Sequence, residues 1–205
     1  MNYINTNLFE KELLFEGTVI LKYHIEYPNI QGSMYDPFSF NYYNKNLALK
    51  LKHKSETELY KEAIETYKYN KENGFPVMVY EVYRSFKVTF NTSNIISLYF
   101  DEYTFTGGAH GNTIRTSQTW NMPQGIMLPL NYFFPNNPYF MINILKKINE
   151  EIAKEPDIYF ENSCNLVLDT FNPKSYYLTT NGIVVYFQQY DIAPYSSGIR
   201  TFNVS

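Results

Sequence analysis

The strongest constraint on the fold is an alternation of side chains with a period of two residues in the segment 19–27. The apolar and aromatic side chains on one side of this segment are Val19, Leu21, Tyr23, Ile25 and Tyr27. The side chains on the other side are Ile20, Lys22, His24 and Glu26. Period two is typical of a half-buried β-strand, and Pro28 closes it. The preceding run Glu10–Phe15 is predicted to pair with this strand through a turn at Glu16-Gly17.

Two other segments have the period of an amphipathic helix. The first extends from about Asp36 to Asn73, and a break is expected in it near His53–Ser55, where polar residues cluster. Its apolar face consists of Phe40, Tyr43, Leu47, Leu51, Leu59, Ala63 and Tyr67. The second begins after Pro138, and its apolar stripe consists of Phe140, Met141, Ile144, Leu145, Ile148 and Ile152. Both spacings place apolar side chains on one helical face, so they predict two main helices.

The remaining periodic segments predict further strands joined by short turns. Four of them form an antiparallel meander: Val77–Phe90, Ile95–Phe105, Ile114–Trp120 and Ile126–Leu130. Near the carboxyl terminus, Tyr176–Thr180 and Ile183–Tyr190 flank Asn181-Gly182, which is a strong hairpin signal. Strands and helices alternate without regular βαβ spacing. We therefore predict an α+β fold in which antiparallel sheets pack against the two main helices.

Composition excludes several classes of protein. Of the 205 residues, 44% are hydrophobic and 19% are aromatic, which is enough to build a core. The formal net charge of −3 gives no basic field for nucleic acid, and the single cysteine excludes multi-cysteine metal sites. No apolar run approaches the roughly 20 residues of a membrane span. With no signal peptide visible, we expect a cytoplasmic protein, or an extracytoplasmic one if Met1 is not the native start.

Two loops interrupt the periodic pattern and carry a family resemblance. They are Tyr103–Asn112, with the sequence YTFTGGAHGN, and Tyr190–Gly198, with the sequence YDIAPYSSG. Together with the hairpin YYLTTNGIVVYFQQ, they resemble the bacterial domain of unknown function 3298, which is often fused to a companion N-terminal module numbered 4163. The resemblance covers nearly the whole chain. It implies a 4163-like part at 1–135, a 3298-like part at 136–205, and one compact globule.

The resemblance also implies a class of function. Proteins of this family include the ectodomains of anti-sigma factors that sense lysozyme and the N-terminal modules of polysaccharide deacetylases. They are binding or sensing modules with no shared set of catalytic residues. The resemblance therefore predicts a non-enzymatic module whose partner is a lysozyme-like protein or a peptidoglycan-type glycan.

The two loops supply the candidate binding residues, which are Gly107, Gly108, His110, Tyr190, Asp191 and Tyr195. Backbone N–H groups of the glycine loop are able to form a small anion nest, with His110 as the titrating group. The simpler interpretation is structural: glycines permit a tight crossing and His110 ties the loop to backbone. Likewise, Tyr190 and Tyr195 are either packing residues or an aromatic ledge for a sugar or peptide.

Two alternatives remain beside the binding module. A hydrolase would use His110 with Asp191 and either Ser196 or Ser197 as the nucleophile. The third possibility is an intracellular structural or oligomer-forming domain.

No metal or cofactor is predicted. The three histidines, at positions 24, 53 and 110, lack the short spacing of zinc ligands. Cys164 lies among apolar residues of a short predicted helix, so we expect it to be buried filler and not a nucleophile.

Overall fold

The computed structural model describes residues 1–205, and it confirms the α+β class. The nine strands are β1 (Tyr3–Phe15), β2 (Thr18–Gly32), β3 (Tyr80–Asn91), β4 (Ile95–Phe105), β5 (Asn112–Asn121), β6 (Ile126–Met127), β7 (Tyr176–Thr179), β8 (Gly182–Phe187) and β9 (Arg200–Asn203). The α-helices are α1 (Phe38–Lys54), α2 (Tyr60–Asn73), α3 (Phe140–Ile152) and α4 (Ser163–Thr170). None of these helices has both the length and the apolar character that crossing a bilayer requires.

The strands form a six-stranded sheet of order β1-β2-β3-β4-β5-β6 and a three-stranded sheet of order β7-β8-β9. β1 and β2 pair antiparallel through a tight turn in which Glu16 and Gly17 both have positive φ. This conformation matches the twist of a two-residue hairpin. The predicted Asn181-Gly182 turn likewise joins β7 to β8.

One pair of strands departs from the predicted antiparallel arrangement, because β2 and β3 are parallel. The chain leaves the end of β2, forms the long helical segment and returns to start β3 beside Leu21. Parallel neighbours need a crossover of this kind, and the helix supplies it.

The long helix does not break where polar residues cluster. A π-helical segment, Ser55–Leu59, joins α1 to α2, and the backbone stays right-handed helical on either side of it. The Ser55 and Thr57 hydroxyls donate to the carbonyl oxygens of Leu51 and His53 at 2.9 and 2.8 Å. Such side-chain bonds to the preceding turn accompany irregular helix geometry, so the polar cluster marks a π bulge and not an end.

By its internal contacts the chain divides into two compact units. The amino-terminal unit contains Asn2–Phe86 and Phe100–Thr113, and the carboxyl-terminal unit contains Met1, Lys87–Tyr99 and Ile114–Ser205. Strands β3, β4 and β5 contribute residues to both. The division into 1–135 and 136–205, which follows from the family resemblance, stays a prediction.

Each unit has its own hydrophobic core. In the amino-terminal unit, the helices α1 and α2 pack on β2, and the buried residues include Leu51, Ala63, Tyr23, Ile25 and Val82. In the carboxyl-terminal unit, Ile144, Ile148 and Ile152 of α3 pack against Val185 and Phe202 of the smaller sheet. The predicted stripe of α3 is therefore the core-facing one, although Met141 is exposed.

Candidate functional site

The glycine loop lies in the amino-terminal unit between β4 and β5. Gly107 and Gly108 have φ of 107° and 90°, a region that side-chain-bearing residues rarely adopt. Gly111 is required for a different reason. A Cβ at this position would lie 2.4 Å from the ring of Tyr103 and 2.7 Å from the carbonyl oxygen of Thr104. The glycines therefore let the chain turn and pass close to its own strand.

His110 is exposed at the tip of this loop. Its Nδ1 lies 3.0 Å from the carbonyl oxygen of Gly111, to which the ring N–H donates. This bond ties the imidazole to adjacent backbone, as the structural interpretation of the loop expects. The use of His110 as a titrating group toward a ligand stays a prediction.

The second loop follows β8 in the carboxyl-terminal unit and presents two tyrosines. Tyr190 has a φ of 67°, in the left-handed region that bulky residues avoid, and its side chain is 54% exposed. The ring of Tyr195 lies 5.7 Å away, centroid to centroid, at an interplanar angle of 37°. The two rings thus form a tilted, partly exposed aromatic pair.

Asp191 closes the turn that carries this pair. Its Oδ2 accepts the backbone N–H of Gln188 at 2.7 Å, and its own N–H donates to the Gln188 carbonyl oxygen at 3.2 Å. Burial raises the pKa of the Asp191 carboxyl, while the bond from the Gln188 N–H opposes this effect. The carboxylate therefore serves the turn as a capping group.

Two residues that the sequence reasoning missed anchor this turn to β5. The side-chain amide of Gln188 accepts the backbone N–H of Arg115 at 2.9 Å and donates to the Arg115 carbonyl oxygen at 2.7 Å. The guanidinium carbon of Arg115 lies 3.9 Å from the ring centroid of Tyr99. Nothing in the sequence signals that Gln188 pairs with Arg115, because the two positions are far apart in the chain. The only signal is that Gln188 is a polar residue directly after the buried end of β8.

The proposed nucleophiles lie just beyond the tyrosine pair. Ser196 is exposed, whereas the Ser197 hydroxyl donates to the carbonyl oxygen of Ile158 at 3.3 Å. Tyr190, Asp191 and Tyr195 are thus brought together in one loop with these serines. His110 belongs to the other unit, so the hydrolase, which needs it beside Asp191, stays a prediction.

Two other positions bear on the chemistry. The prediction that Cys164 is buried is wrong: it is exposed on the surface of α4, because Ser163 and Val167 occupy the inward-facing positions of that helix. His24 stacks on Tyr83 with ring centroids 5.0 Å apart, and its nitrogens lie 3.4 Å from Glu10 and Glu26. Nowhere in the chain do three or more histidine, cysteine or acidic side chains cluster so as to hold a metal ion.

Two family models match separate parts of the chain. A family model described as Deacetylase PdaC matches residues 16–113, and a model described as a protein of unknown function, DUF3298, matches residues 133–205. The chain resembles the DUF3298 family. The tyrosine loop lies within the DUF3298 match, and the glycine loop lies within the PdaC match. No curated protein matches the sequence.

Solved structures of DUF3298 proteins share the fold. A member of the family from Bacteroides fragilis is 17% identical, with a TM-score of 0.71 over 99% of this chain and 90% of its own. A DUF3298 protein from Pseudomonas aeruginosa is also 17% identical, with a TM-score of 0.65 over 98% of this chain and 90% of its own. At this identity the likeness establishes the architecture and not the function.

Proposed function

We propose that this DUF3298-like chain is a non-enzymatic binding module, and that Tyr190 and Tyr195 bind a cell-wall-type glycan. The observation that carries this proposal is the conformation of Tyr190, a bulky residue held at a φ of 67° with more than half of its side chain exposed. Strained backbone of this kind concentrates at binding sites, where it presents a side chain in a fixed direction.

The chemistry of the pair suits a sugar. A pyranose ring has an apolar face of C–H groups, which stacks on an aromatic ring, and polar edges that need hydrogen bonds. Tyrosine offers both an apolar ring and a hydroxyl at a low cost in conformational entropy. The adjacent Ser196 is exposed and adds a second hydroxyl. The two tilted rings, 5.7 Å apart, are thus able to contact one sugar or two neighbouring sugars of a chain.

The family resemblance also supports a glycan ligand. Proteins of the DUF3298 family include modules of polysaccharide deacetylases, and the model that matches residues 16–113 is itself described as a deacetylase. Other relatives sense lysozyme, which makes a lysozyme-like protein the second candidate partner. The glycan takes precedence because the turn presents only the exposed Tyr190, the half-buried Tyr195 and the exposed Ser196, a surface that suits a sugar better than the roughly 800 Å² per partner of a stable protein interface.

The test is co-sedimentation of the chain with insoluble peptidoglycan, followed by titration with soluble N-acetylglucosamine oligomers. We expect Tyr190→Gly to weaken binding roughly twofold to tenfold, since one aromatic contact is worth about 0.5–1.5 kcal/mol. Tyr139→Gly is the matched control, because Tyr139 is a 65% exposed tyrosine in the same unit but outside the turn at 188–198. This control should bind like the wild type.

Lysozyme is the parallel arm of the experiment. Binding to lysozyme without binding to glycan would replace the glycan by a protein partner. Glycan binding that Tyr190→Gly and Tyr195→Ala both leave unchanged would overturn the assignment of the site. Failure to bind either probe would overturn the proposed function.

A further inference from the structure

The outward face of helix α1 carries aromatic and apolar side chains that the core does not use. Phe38 and Tyr42 are 65% and 61% exposed, and their rings stack with centroids 5.6 Å apart. Leu49 is also exposed on this helix. At 3.6 residues per turn, these three side chains fall within about 40° of one another around the helix axis. A contiguous exposed stripe of this kind marks a contact surface, whereas single exposed apolar residues do not.

Helix α1 is also strongly basic. It contains four lysines and no acidic residue, although the chain as a whole has a net charge of −3. Only Lys52 has a carboxylate partner, with its Nζ 3.7 Å from Glu56. Lys45, Lys50 and Lys54 are exposed and form no ion pair. The helix therefore presents three positive charges that no neighbouring carboxylate compensates.

Stabilisation of a helix end does not explain these lysines. Basic residues in the last turn of a helix usually compensate the partial negative charge of its free carbonyl groups. Here the helix continues through Ser55–Leu59 into α2, and the backbone N–H of Ser55 donates to the carbonyl oxygens of Leu51 and Lys52. The last carbonyl groups of α1 are thus bonded within a continuing helix. The positive charges need another explanation.

The lysines border the apolar stripe on both sides. Around the helix axis, Lys45 lies about 20° from Phe38 in one direction. Lys50 and Lys54 lie about 120° and 160° from Phe38 in the other direction, beyond the rest of the stripe. The face thus has an apolar centre with ammonium groups along its margins.

This face is open and not a pocket. The shallow groove along it is lined only by residues of the helical segment 42–58, so no second element forms a wall. Glu58 contributes the one carboxylate of the groove and lies at its end. Pockets for small molecules are concave and enclose most of the ligand. An open helix face instead suits an extended, flat surface.

We infer that the outward face of α1 binds the surface of a bilayer that contains anionic lipids. Aromatic rings favour the level of the lipid headgroups, which Phe38 and Tyr42 would enter. The apolar stems of Lys50 and Lys54 lie along this layer, while their ammonium groups pair with lipid phosphates. This inference goes beyond the proposed glycan binding and does not depend on it, since α1 belongs to the other unit.

A bilayer fits this face better than other anionic partners do. An acidic polymer would pair with the lysines but would leave the apolar stripe in water. An amphipathic acidic segment of a protein would cover both, but such segments bind in hydrophobic grooves with walls. A bilayer covers the rings and supplies the negative charges at once. Peripheral binding of this kind combines apolar burial with electrostatic attraction, because neither alone is strong.

The test is co-sedimentation of the full chain with lipid vesicles. We expect binding to a one-to-one mixture of phosphatidylcholine and phosphatidylglycerol, and none to phosphatidylcholine alone. Binding should weaken as the salt concentration rises from about 0.1 M to 1 M, because the Debye length falls from about 10 Å to 3 Å.

Two pairs of substitutions locate the electrostatic part of the binding. Lys50→Gln/Lys54→Gln should weaken binding to the mixed vesicles about 25-fold, because each lysine near an anionic surface strengthens it about fivefold. Lys61→Gln/Lys87→Gln is the matched control, because both lysines are exposed, form no ion pair and lie outside the groove. This control removes the same charge and should bind like the wild type.

The aromatic part is tested at constant charge. Phe38→Ser/Tyr42→Ser should weaken binding to the mixed vesicles at least tenfold, roughly, since these rings would leave water on binding. Phe38→Trp gives a direct readout of insertion, because the single native tryptophan, Trp120, is buried. Its emission should move to shorter wavelength when mixed vesicles are added. Circular dichroism of every variant provides the check on folding.

Several results would overturn the inference. One is a wild-type chain that does not bind the mixed vesicles. Another is binding that the lysine pair of α1 and the control pair weaken equally, or an emission spectrum of Phe38→Trp that the vesicles leave unchanged. Binding to soluble polyglutamate but not to vesicles would replace the bilayer by an acidic protein segment.

Discussion

Replacement of Tyr190 by glycine and by alanine tests whether the backbone at this position is strained. Both substitutions remove the ring contact with Tyr195, whose centroid lies 5.7 Å away. They differ only in whether a Cβ remains. Alanine keeps a side chain at a φ of 67°, whereas glycine adopts this conformation freely.

The expected difference in the free energy of unfolding between Tyr190→Gly and Tyr190→Ala follows from two opposing effects. Relief of the left-handed conformation favours glycine by about 1–2 kcal/mol. The larger conformational entropy of glycine in the unfolded chain disfavours it by about 0.5–1 kcal/mol. We therefore expect the Tyr190→Gly variant to be more stable than Tyr190→Ala by about 0.5–1 kcal/mol. In a chain of this size such a difference raises Tm by roughly 2–4 °C per kcal/mol.

Urea unfolding monitored by circular dichroism gives the comparison, and Tyr42 gives the control. Tyr42 lies inside α1, is 61% exposed and has a ring contact of similar length, with the Phe38 centroid 5.6 Å away, but its backbone is right-handed helical. At that position the alanine variant should be the more stable of the two, because glycine inside a helix costs about 1 kcal/mol relative to alanine. The order of glycine and alanine must therefore reverse between positions 42 and 190. The same order at both positions would refute the claim that Tyr190 is held in a strained conformation.

Two further predictions concern the glycine loop and a buried tyrosine. Gly111→Ala should cost about 3 kcal/mol because its Cβ would overlap the ring of Tyr103. Gly108→Ala has open space and should cost only the roughly 1–2 kcal/mol of its positive φ, which urea unfolding of both variants would show. Burial raises the pKa of Tyr176 from 10.0 to about 12. The Tyr176 phenol therefore loses its proton at a lower pH in the unfolded chain than in the folded one, so the free energy of unfolding falls as the pH rises from 10 to 12. Tyr176→Phe should flatten this fall by about 2 kcal/mol in unfolding experiments between pH 9 and 12; an unchanged slope would exclude Tyr176 as its source.

Much of the fold could be predicted because its signals are local. The alternation in β2 reflects the two faces of a single strand. The stripe Ile144, Ile148 and Ile152 likewise reflects one helix against one core. The turn at Glu16-Gly17 needs only residues that tolerate positive φ, and glycine supplies one of the two. Each of these features depends on side chains within a few positions of one another.

The parallel pairing of β2 and β3 could not be predicted in the same way. The alternation of Tyr23 and Ile25 buries one face of the strand whichever direction its neighbour takes. The direction is set by where the helical crossover returns the chain, which is a property of packing and not of the strand sequence. The break predicted near Ser55 is also wrong, because the Ser55 hydroxyl bonds to the preceding helical turn and the helix continues.

The positive φ of Tyr190 could not be predicted from the sequence either, because tyrosine rarely adopts this conformation. Its cause is a set of four hydrogen bonds: two join Gln188 to Asp191, and two join the Gln188 side chain to the backbone of Arg115. At about 0.5–1.5 kcal/mol each, these bonds together exceed the roughly 1–2 kcal/mol of left-handed strain. The strain is therefore held by contacts that Tyr190 does not itself make. A side chain fixed in this way loses little further conformational freedom when a ligand binds. The four hydrogen bonds that make the conformation of Tyr190 unpredictable from the sequence therefore also pre-organise its side chain for binding.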